Sequence, residues 1–269
     1  MKMLLKDGKK KVVTLSYDDG VIFDKRLMEI CDKNGLRCTF NINSGNYGDD
    51  TWDMSRENCI KLYKDTAHEV AIHGLTHPFF ERLSSAELIR EVIEDRRNLE
   101  KDYGKVIRGC AYPFGTYNDA VMDVLSKCGI VYARTVDSTE YFGFPDNWLA
   151  LHPTCHHKNP KLMELAKNFV EMLSRFGQTY MFYLWGHTYE FNNDNNWEVI
   201  EEFAEYIGGR DDIWYATNIE IYDYVTAYKR LETSYEGDII NNPSAIDVWV
   251  SVNGKEYSIK AGETLVINN

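Results

Sequence analysis

Two pairs of side chains in the first third of the chain have the types and spacing of a metal-dependent hydrolytic site. Asp18 and Asp19 are adjacent, His73 and His77 are four positions apart, and each pair directly follows a short apolar run. Two neighbouring carboxylates cannot both be buried in the charged form without a cation or a proton between them. One carboxylate with two imidazoles is a recurrent ligand set of hydrolytic zinc, which leaves the second carboxylate to take a proton from water. From residue types alone, either aspartate could be the ligand.

A later histidine could supply the acid that such a hydrolysis needs. His187 ends an apolar run that includes Trp185. Because an imidazole titrates near neutral pH, it can protonate a leaving group. A backbone N–H near the Pro113-Phe114-Gly115 turn could bind the oxyanion. Together these groups predict hydrolysis of an amide or an ester.

The elements that must position these groups alternate regularly along the chain. Short apolar runs typical of strands are separated by segments with helical periodicity, which is the pattern of a parallel α/β barrel. The predicted strands span residues 11–16, 38–42, 70–73, 106–111, 130–135, 180–185 and 213–216. Chemistry in such barrels collects at the C-terminal ends of the strands, and all the groups named above fall there. We therefore predict a (β/α) barrel that is one unit short of eight.

The character of the sequence changes near its end. We expect a barrel domain over residues 1–235 and a C-terminal extension over residues 236–269 that packs on the barrel. Within the extension, two alternating segments at 246–252 and 255–259 flank Asn253-Gly254. This pattern predicts a β-hairpin with a type I′ turn.

Composition excludes several classes of partner. The 269 residues carry a formal net charge of −12 with a pI near 5.1, which argues against nucleic acid or an anionic membrane as the main partner. The six cysteines have no short repeated spacing, so we expect free thiols in a reducing compartment. We find no signal-peptide pattern and no run of apolar residues long enough to span a membrane, and we expect a cytoplasmic protein. The sequence gives no oligomeric state.

Four motifs in this order resemble those of the NodB-homology polysaccharide deacetylases, carbohydrate esterase family 4. They are the segment 14–20 (Thr-Leu-Ser-Tyr-Asp-Asp-Gly), His73-x3-His77, the turn at 113–115 and the late strand that ends in His187. The resemblance covers roughly residues 12–227. It implies a distorted (β/α)7 TIM-like barrel and removal of N- or O-acetyl groups from a sugar or related small molecule. It further implies Asp18 as general base, His187 as general acid, and Asp19, His73 and His77 as ligands of Zn²⁺ or another divalent ion such as Co²⁺ or Ni²⁺.

The chain departs from the family pattern at the third motif. The family's Arg-x-Pro-Tyr corresponds here to Ala-Tyr-Pro-Phe at 111–114, so the arginine that orients the catalytic aspartate is absent. Arg134, at the end of the next predicted strand, could replace it, whereas Arg108 would lie at the wrong end of its strand. We predict that the residues in contact with substrate are Tyr112, Phe114, Arg134, Trp185 and Trp148.

The sequence leaves several alternative roles and functions open. His152, Cys155, His156 and His157 form a second cluster, which could be another metal site, a substrate-facing loop or an ordinary loop. Glu190, just after His187, could tune that imidazole. The missing arginine favours an amidohydrolase acting on a non-carbohydrate amide or cyclic ureide as the second hypothesis. A catalytically inactive carbohydrate-binding barrel and a phosphoryl-transfer enzyme are weaker ones.

Overall fold

The computed structural model describes residues 1–173 and 177–267, so the last two residues of the predicted extension lie outside the described part. The strands are β1 (Lys2–Leu4), β2 (Lys11–Asp18), β3 (Cys38–Ile42), β4 (Glu69–Ile72), β5 (Gly109–Ala111), β6 (Tyr132–Arg134), β7 (Cys155–His156), β8 (Tyr180–His187), β9 (Ile213–Tyr215), β10 (Glu232–Thr233), β11 (Ile239–Asn241), β12 (Val248–Val252), β13 (Lys255–Ile259) and β14 (Thr264–Val266). The helices are α1 (Asp24–Lys33), α2 (Arg56–Tyr63), α3 (Ser85–Tyr103), α4 (Asp119–Lys127), α5 (Leu162–Glu171), α6 (Thr188–Asn193), α7 (Glu198–Ile207) and α8 (Asn218–Lys229).

The central sheet confirms the predicted distorted (β/α)7 barrel. Its parallel strands follow the order β6-β5-β4-β3-β2-β8-β7, and β9 pairs only with the first three residues of β2. The sequence predicted the strand at 213–216 as the seventh member, but β7 takes that place in the order. A strand of two residues is too short to leave a periodic signal, and for this reason the sequence did not reveal β7.

A short irregular segment closes the barrel between β6 and β8. Leu151 N donates to Ala133 O at 2.9 Å, on the β6 side. A few residues later, Thr154 N donates to Tyr183 O at 2.8 Å, on the β8 side. The segment that contains β7 therefore spans the gap between β6 and β8.

Alternation along the strands separates an apolar layer from a polar interior. In β2, Val13, Leu15 and Tyr17 belong to the main apolar core with residues from the surrounding helices. The intervening Ser16 and Asp18 contact polar partners on neighbouring strands and are also buried. Because successive side chains point to opposite faces of a strand, the carboxylate at the end of β2 faces the barrel interior.

The long helix α3 has well-defined ends. Ser84 and Glu87 form a capping box at its start, and Gly104 ends it with a left-handed φ of 65°. These contacts satisfy backbone groups that the helix itself leaves unpaired. The helix packs against β4, the strand that leads to His73.

The C-terminal region contains the predicted hairpin. β12 pairs antiparallel with β13, and Asn253 and Gly254 between them both have positive φ, at 51° and 83°, as a type I′ turn requires. The N-terminal strand β1 pairs with the other edge of β12. Strands β10, β11 and β14 form a second small sheet.

All six cysteines are buried and free, as predicted. In the two described ranges, no helix combines the length and the apolar character needed to cross a membrane.

Candidate active site

The strand register brings the predicted chemical groups together at one end of the barrel. Asp18, the last residue of β2, is paired with Asn41 of β3 on one side and with His187 of β8 on the other. Asp18 Oδ2 lies 3.7 Å from His187 Nε2 and 3.7 Å from His73 Nε2. The two predicted acid–base residues therefore lie side by side at the C-terminal rim.

Asp19, His73 and His77 form a compact set of donors, which we call the Asp19 cluster. Asp19 Oδ1 lies 3.7 Å from His73 Nε2 and 4.0 Å from His77 Nε2. His73 Nδ1 is 2.8 Å from Ala111 O, and a carbonyl can only accept, so Nδ1 carries the proton and Nε2 keeps a lone pair. The Asp19 carboxylate makes no side-chain hydrogen bond within the described residues. This donor chemistry fits a divalent metal ion.

The two adjacent carboxylates differ sharply in their electrostatics. Burial acts to raise the pKa of Asp18, but Arg134, His73 and the other neighbours outweigh it and lower this pKa to about 2. Burial and the charge of Asp18 raise the pKa of Asp19 to about 6. Burial also lowers the pKa of His73 to about 3, so this imidazole is neutral at pH 7. A cation in the Asp19 cluster would relieve the repulsion between the two carboxylates.

Two residues of the same cluster have an unusual backbone conformation. Asp19 and His77 have positive φ values of 83° and 58°, in the left-handed region that non-glycine residues seldom adopt. Asp19 is held there by a hydrogen bond from its backbone N to Asn41 O at 3.0 Å. Strain of this kind costs about 1–3 kcal/mol per residue and is found preferentially at functional sites.

Arg134 lies where the missing arginine would be needed. Its guanidinium donates a hydrogen bond to Asp18 Oδ2, and its carbon atom Cζ lies 4.4 Å from the centroid of the Trp185 ring. Arg134 is fully buried, and Asn41 Nδ2 donates to the other oxygen of Asp18 at 2.8 Å. These contacts fix the orientation of the Asp18 carboxylate.

His187 is oriented by Glu190, one helical turn further along the chain. Glu190 Oε2 lies 3.2 Å from both the Nδ1 and the backbone N of His187. With Nδ1 donating to the carboxylate, Nε2 is the nitrogen that faces Asp18. Burial acts to lower the pKa of His187, but Glu190 and the nearby aspartates raise it above its ordinary value.

Of the second histidine cluster, His156 and His157 converge on the same carboxylate, whereas His152 contacts Thr135 Oγ1 and Cys155 lies in the apolar core. We call His156, His157 and Glu190 the Glu190 cluster. His156 Nε2 and His157 Nε2 lie 3.0 Å and 3.4 Å from Glu190 Oε2. Lys158 N donates to His156 Nδ1 at 3.1 Å, so in the neutral ring the proton is on Nε2 and points to Glu190. Lys158 Nζ also lies 3.1 Å from Glu190 Oε1. Both ring nitrogens of the buried His157 have no hydrogen-bond partner within the described residues, so the hydrogen bonds to the Glu190 carboxylate come from His156 and His187, with Lys158 as a neighbouring cation.

The predicted substrate-contacting residues fall into two groups. Phe114 is 50% exposed, and its ring lies 4.4 Å from that of His77, at the rim. Trp185 is nearly buried, and its ring contacts His187 at 5.7 Å.

Tyr112 and Trp148 are not brought to the site. The hydroxyl of Tyr112 donates to Leu149 O at 2.8 Å, and the buried ring of Trp148 packs edge-on against Tyr222 of α8.

One important neighbour of the site was not predicted. Asp95 of α3 accepts a hydrogen bond from His73 N at 3.1 Å and another from Ser44 N at 2.9 Å. It lies on the buried face of α3 with Leu88, Val92 and Leu99. A carboxylate in an apolar stripe of a helix is an unusual feature, and that signal could have identified it from sequence.

Comparisons with known proteins agree with this geometry. Residues 5–133 match the family described as Polysaccharide deacetylase. Over 101 residues the chain is 33% identical to a chitin deacetylase of Colletotrichum lindemuthianum, covering 36% of this chain and 40% of that protein. Over 162 residues it is 27% identical to a poly-beta-1,6-N-acetyl-D-glucosamine N-deacetylase of Staphylococcus aureus, covering 51% of this chain and 55% of that protein.

A solved structure supports the fold over most of the chain. The polysaccharide deacetylase from Mycobacterium smegmatis superposes with a TM-score of 0.61 at 17% identity, covering 85% of this chain and 95% of that one. The chain spans about half, or less, of the curated relatives it matches. The motifs, the barrel and the family match over residues 5–133 all indicate the same relationship, a similarity of this chain to the polysaccharide deacetylase family.

Proposed function

We propose that the protein is a metal-dependent hydrolase that removes acetyl groups from an N-acetylated carbohydrate. The observation that carries the proposal is the Asp19 cluster lying beside Asp18 and His187 at one rim of the barrel. The names of the curated relatives add the substrate class, because both describe deacetylases of N-acetylglucosamine polymers. We infer an amide of an acetylated amino sugar as the preferred bond.

Asp19, His73 and His77 would hold the ion, for which we propose Zn²⁺, with Co²⁺ or Ni²⁺ as substitutes. Such an ion, when bound, supplies Lewis acidity that polarises the acetyl carbonyl and makes water more acidic. His73 contributes a neutral imidazole whose tautomer is fixed by Ala111 O. A set of one carboxylate and two imidazoles leaves coordination positions open for water and substrate.

The acid and base steps follow from the positions of Asp18 and His187. Asp18 is ionised and oriented by Arg134, so its Oδ2 can accept the proton of the attacking water. His187 carries a proton on Nε2 when charged, and it delivers that proton to the departing amine nitrogen. The N–H of Phe114 has no acceptor within the described residues, and we assign it to the oxyanion of the tetrahedral intermediate.

The alternatives lose their main support. An amidohydrolase of a cyclic ureide was favoured by the missing arginine, but Arg134 contacts Asp18 in its place. An inactive sugar-binding barrel would not need the strained backbone at Asp19 and His77. Phosphoryl transfer is disfavoured because the paired imidazoles of His73 and His77 suit zinc better than magnesium.

A substrate panel tests the proposal. Purified protein, stripped with chelator and reloaded with Zn²⁺, is assayed for acetate release from N-acetylglucosamine oligosaccharides, O-acetylated sugars, simple acetamides and a cyclic ureide. We expect the highest kcat/KM on the oligosaccharides and no activity in the stripped protein. Asp18→Asn and His187→Ala should each lower kcat by about 10²–10⁴-fold.

Glu256→Gln is the control, because this exposed carboxylate lies in the C-terminal hairpin and pairs with Lys10 at 3.7 Å. Its activity should equal that of the wild type. Zinc-loaded protein that hydrolyses the ureide but releases no acetate from any sugar would contradict the proposal.

A further inference from the structure

We propose that Trp52, Asp53 and Tyr189 form a sugar-binding subsite beside the reaction centre, suited to a neutral or amino-sugar residue of an oligosaccharide. The inference rests on the proposed function and refines its substrate class to a glycan chain, as opposed to a single acetylated sugar. The three residues bind the sugar next to the one that reacts and take no part in the hydrolysis.

Trp52 is fixed close to the catalytic aspartates by the backbone. Ile22 N donates to Trp52 O at 3.0 Å, and Met54 N donates to Gly20 O at 3.2 Å. The segment around Trp52 therefore runs beside the residues that directly follow Asp18 and Asp19. It forms one wall of the catalytic rim.

A row of aromatic rings leads from solvent to the proposed acid. The ring of Trp52 lies 5.7 Å from that of Tyr189, which lies 5.1 Å from that of His187. The edge of Phe23 supports Trp52 at 5.5 Å. Trp52 is 41% exposed, whereas Trp185 is only 8% exposed. Trp52 thus offers an indole surface to a ligand, and an exposed aromatic surface beside a polar group is suited to an amphipathic ring.

Asp53 provides a carboxylate beside the indole of Trp52 that can bind polar groups of a sugar. Its side chain is half-buried, yet across residues 1–173 and 177–267 its carboxylate has no hydrogen-bond partner. A carboxylate there can accept hydrogen bonds from sugar hydroxyls or from a free amino group. Asp49 and Asp50 lie in the same loop, so an anionic sugar such as a uronate would be repelled. The charge pattern thereby selects neutral or cationic sugar chains.

The loop that carries this subsite is preorganised. Gly48 N donates to Met54 O at 3.0 Å, and Asp50 N donates to Asp53 O at 3.1 Å. Gly48 packs so closely that a Cβ there would lie 2.5 Å from Asp53 O. Since these contacts hold the loop before any ligand arrives, little ordering entropy opposes binding.

The test compares substrates of different length. We would measure kcat/KM for acetate release from N-acetylglucosamine and from its β-1,4- and β-1,6-linked tetrasaccharides. Trp52→Ala should lower kcat/KM on the preferred tetrasaccharide about tenfold and leave the monosaccharide rate unchanged. Trp52→Phe should recover most of the loss, and Asp53→Asn should show a smaller loss with the same length dependence. Tyr235→Ala, a fully exposed tyrosine outside the barrel sheet, is the control.

Binding measured by calorimetry separates the subsite from the hydrolysis. Each tetrasaccharide is titrated into wild-type protein and into Trp52→Ala, and we expect about tenfold weaker binding by the variant. Tetrasaccharide binding that depends on Trp52 without acetate release would support the subsite while overturning the proposed function. Binding that is absent from the wild type, or equal in the two proteins, overturns the subsite even if acetate is released. So does an equal loss of kcat/KM on both substrate lengths.

Discussion

The Asp19 cluster and the Glu190 cluster contain the same kinds of groups, one carboxylate and two imidazoles, but their hydrogen bonds differ. In the Asp19 cluster the carboxylate has no hydrogen-bond partner within the described residues. The fixed tautomer of His73 leaves Nε2, the nitrogen that faces Asp19, unprotonated. In the Glu190 cluster the carboxylate accepts hydrogen bonds from His156 and His187 and lies beside an ammonium group, while both ring nitrogens of His157 have no partner within the described residues. Residue types alone do not distinguish a metal site from a hydrogen-bonded anchor; the positions of the protons do.

The largest effect should come from removing a ligand of the Asp19 cluster. His73→Ala should abolish metal retention after dialysis and lower kcat/KM by at least about 10³-fold, because the ion is lost. His157→Ala, in the Glu190 cluster, should retain one ion per chain. Metal analysis by mass spectrometry checks both variants. A second ion in the wild type that disappears in His157→Ala would show that the Glu190 cluster also binds metal, which contradicts the difference between the two clusters.

A smaller effect is expected from Glu190→Gln. The amide would orient His187 less firmly, and we expect kcat to fall about 10- to 100-fold with the metal still bound. In the proposed mechanism His187 acts in its protonated form, and Glu190 helps to raise its pKa. Loss of the carboxylate should therefore shift the alkaline limb of the pH–kcat profile to lower pH.

Glu190→Asp is the control for that experiment, since it keeps the charge. Its alkaline limb should lie between those of wild type and Glu190→Gln. An unchanged profile in Glu190→Gln would show that Glu190 does not act through His187.

A larger side chain beside the closely packed Glu190 cluster should lower the stability of the protein. A Cβ at Gly186 would lie only 2.0 Å from His157 Nδ1, and the His157 ring is buried against Phe191 at 4.0 Å. Gly186→Ala should lower the free energy of unfolding by about 1–3 kcal/mol, measured in urea. Adding His157→Ala should remove most of that penalty, and two strictly additive losses would disprove the steric conflict.

The smallest effect should follow from Lys158→Met. Lys158 is partly exposed and pairs with Glu190 and Asp194, and exposed ion pairs contribute about 0–1 kcal/mol. We expect kcat within about threefold of the wild type and still one ion per chain. A second ion bound by this variant would mean that the ammonium group alone keeps the Glu190 cluster free of metal.

The sequence predicted the barrel, because its strands and helices have clear periods, and it predicted Asp18, Asp19, His73, His77 and His187 as neighbours. Their spacing follows directly from strand ends that meet at one rim. The sequence offered Arg134 as a replacement for the missing arginine but left this open, because its contact with Asp18 joins two strands distant along the chain. It also pointed to Trp148 and not to Trp52, because exposure is a tertiary property: Trp148 is 9% exposed and Trp52 is 41% exposed.

The two-residue strand β7 makes a short junction with β8, which we call the seam of the barrel. Whereas β2 and β8 are in register over eight residue pairs, β7 meets β8 over two. Local opening of the protein should begin at this seam, and the backbone amides of Leu151 and Thr154 should exchange their hydrogens faster than those of β2. Because His156 lies on β7 and donates to Glu190, the same opening would detach one of the groups that hold the carboxylate behind His187. The orientation of His187, the proposed catalytic acid, is thus tied to closure of the barrel.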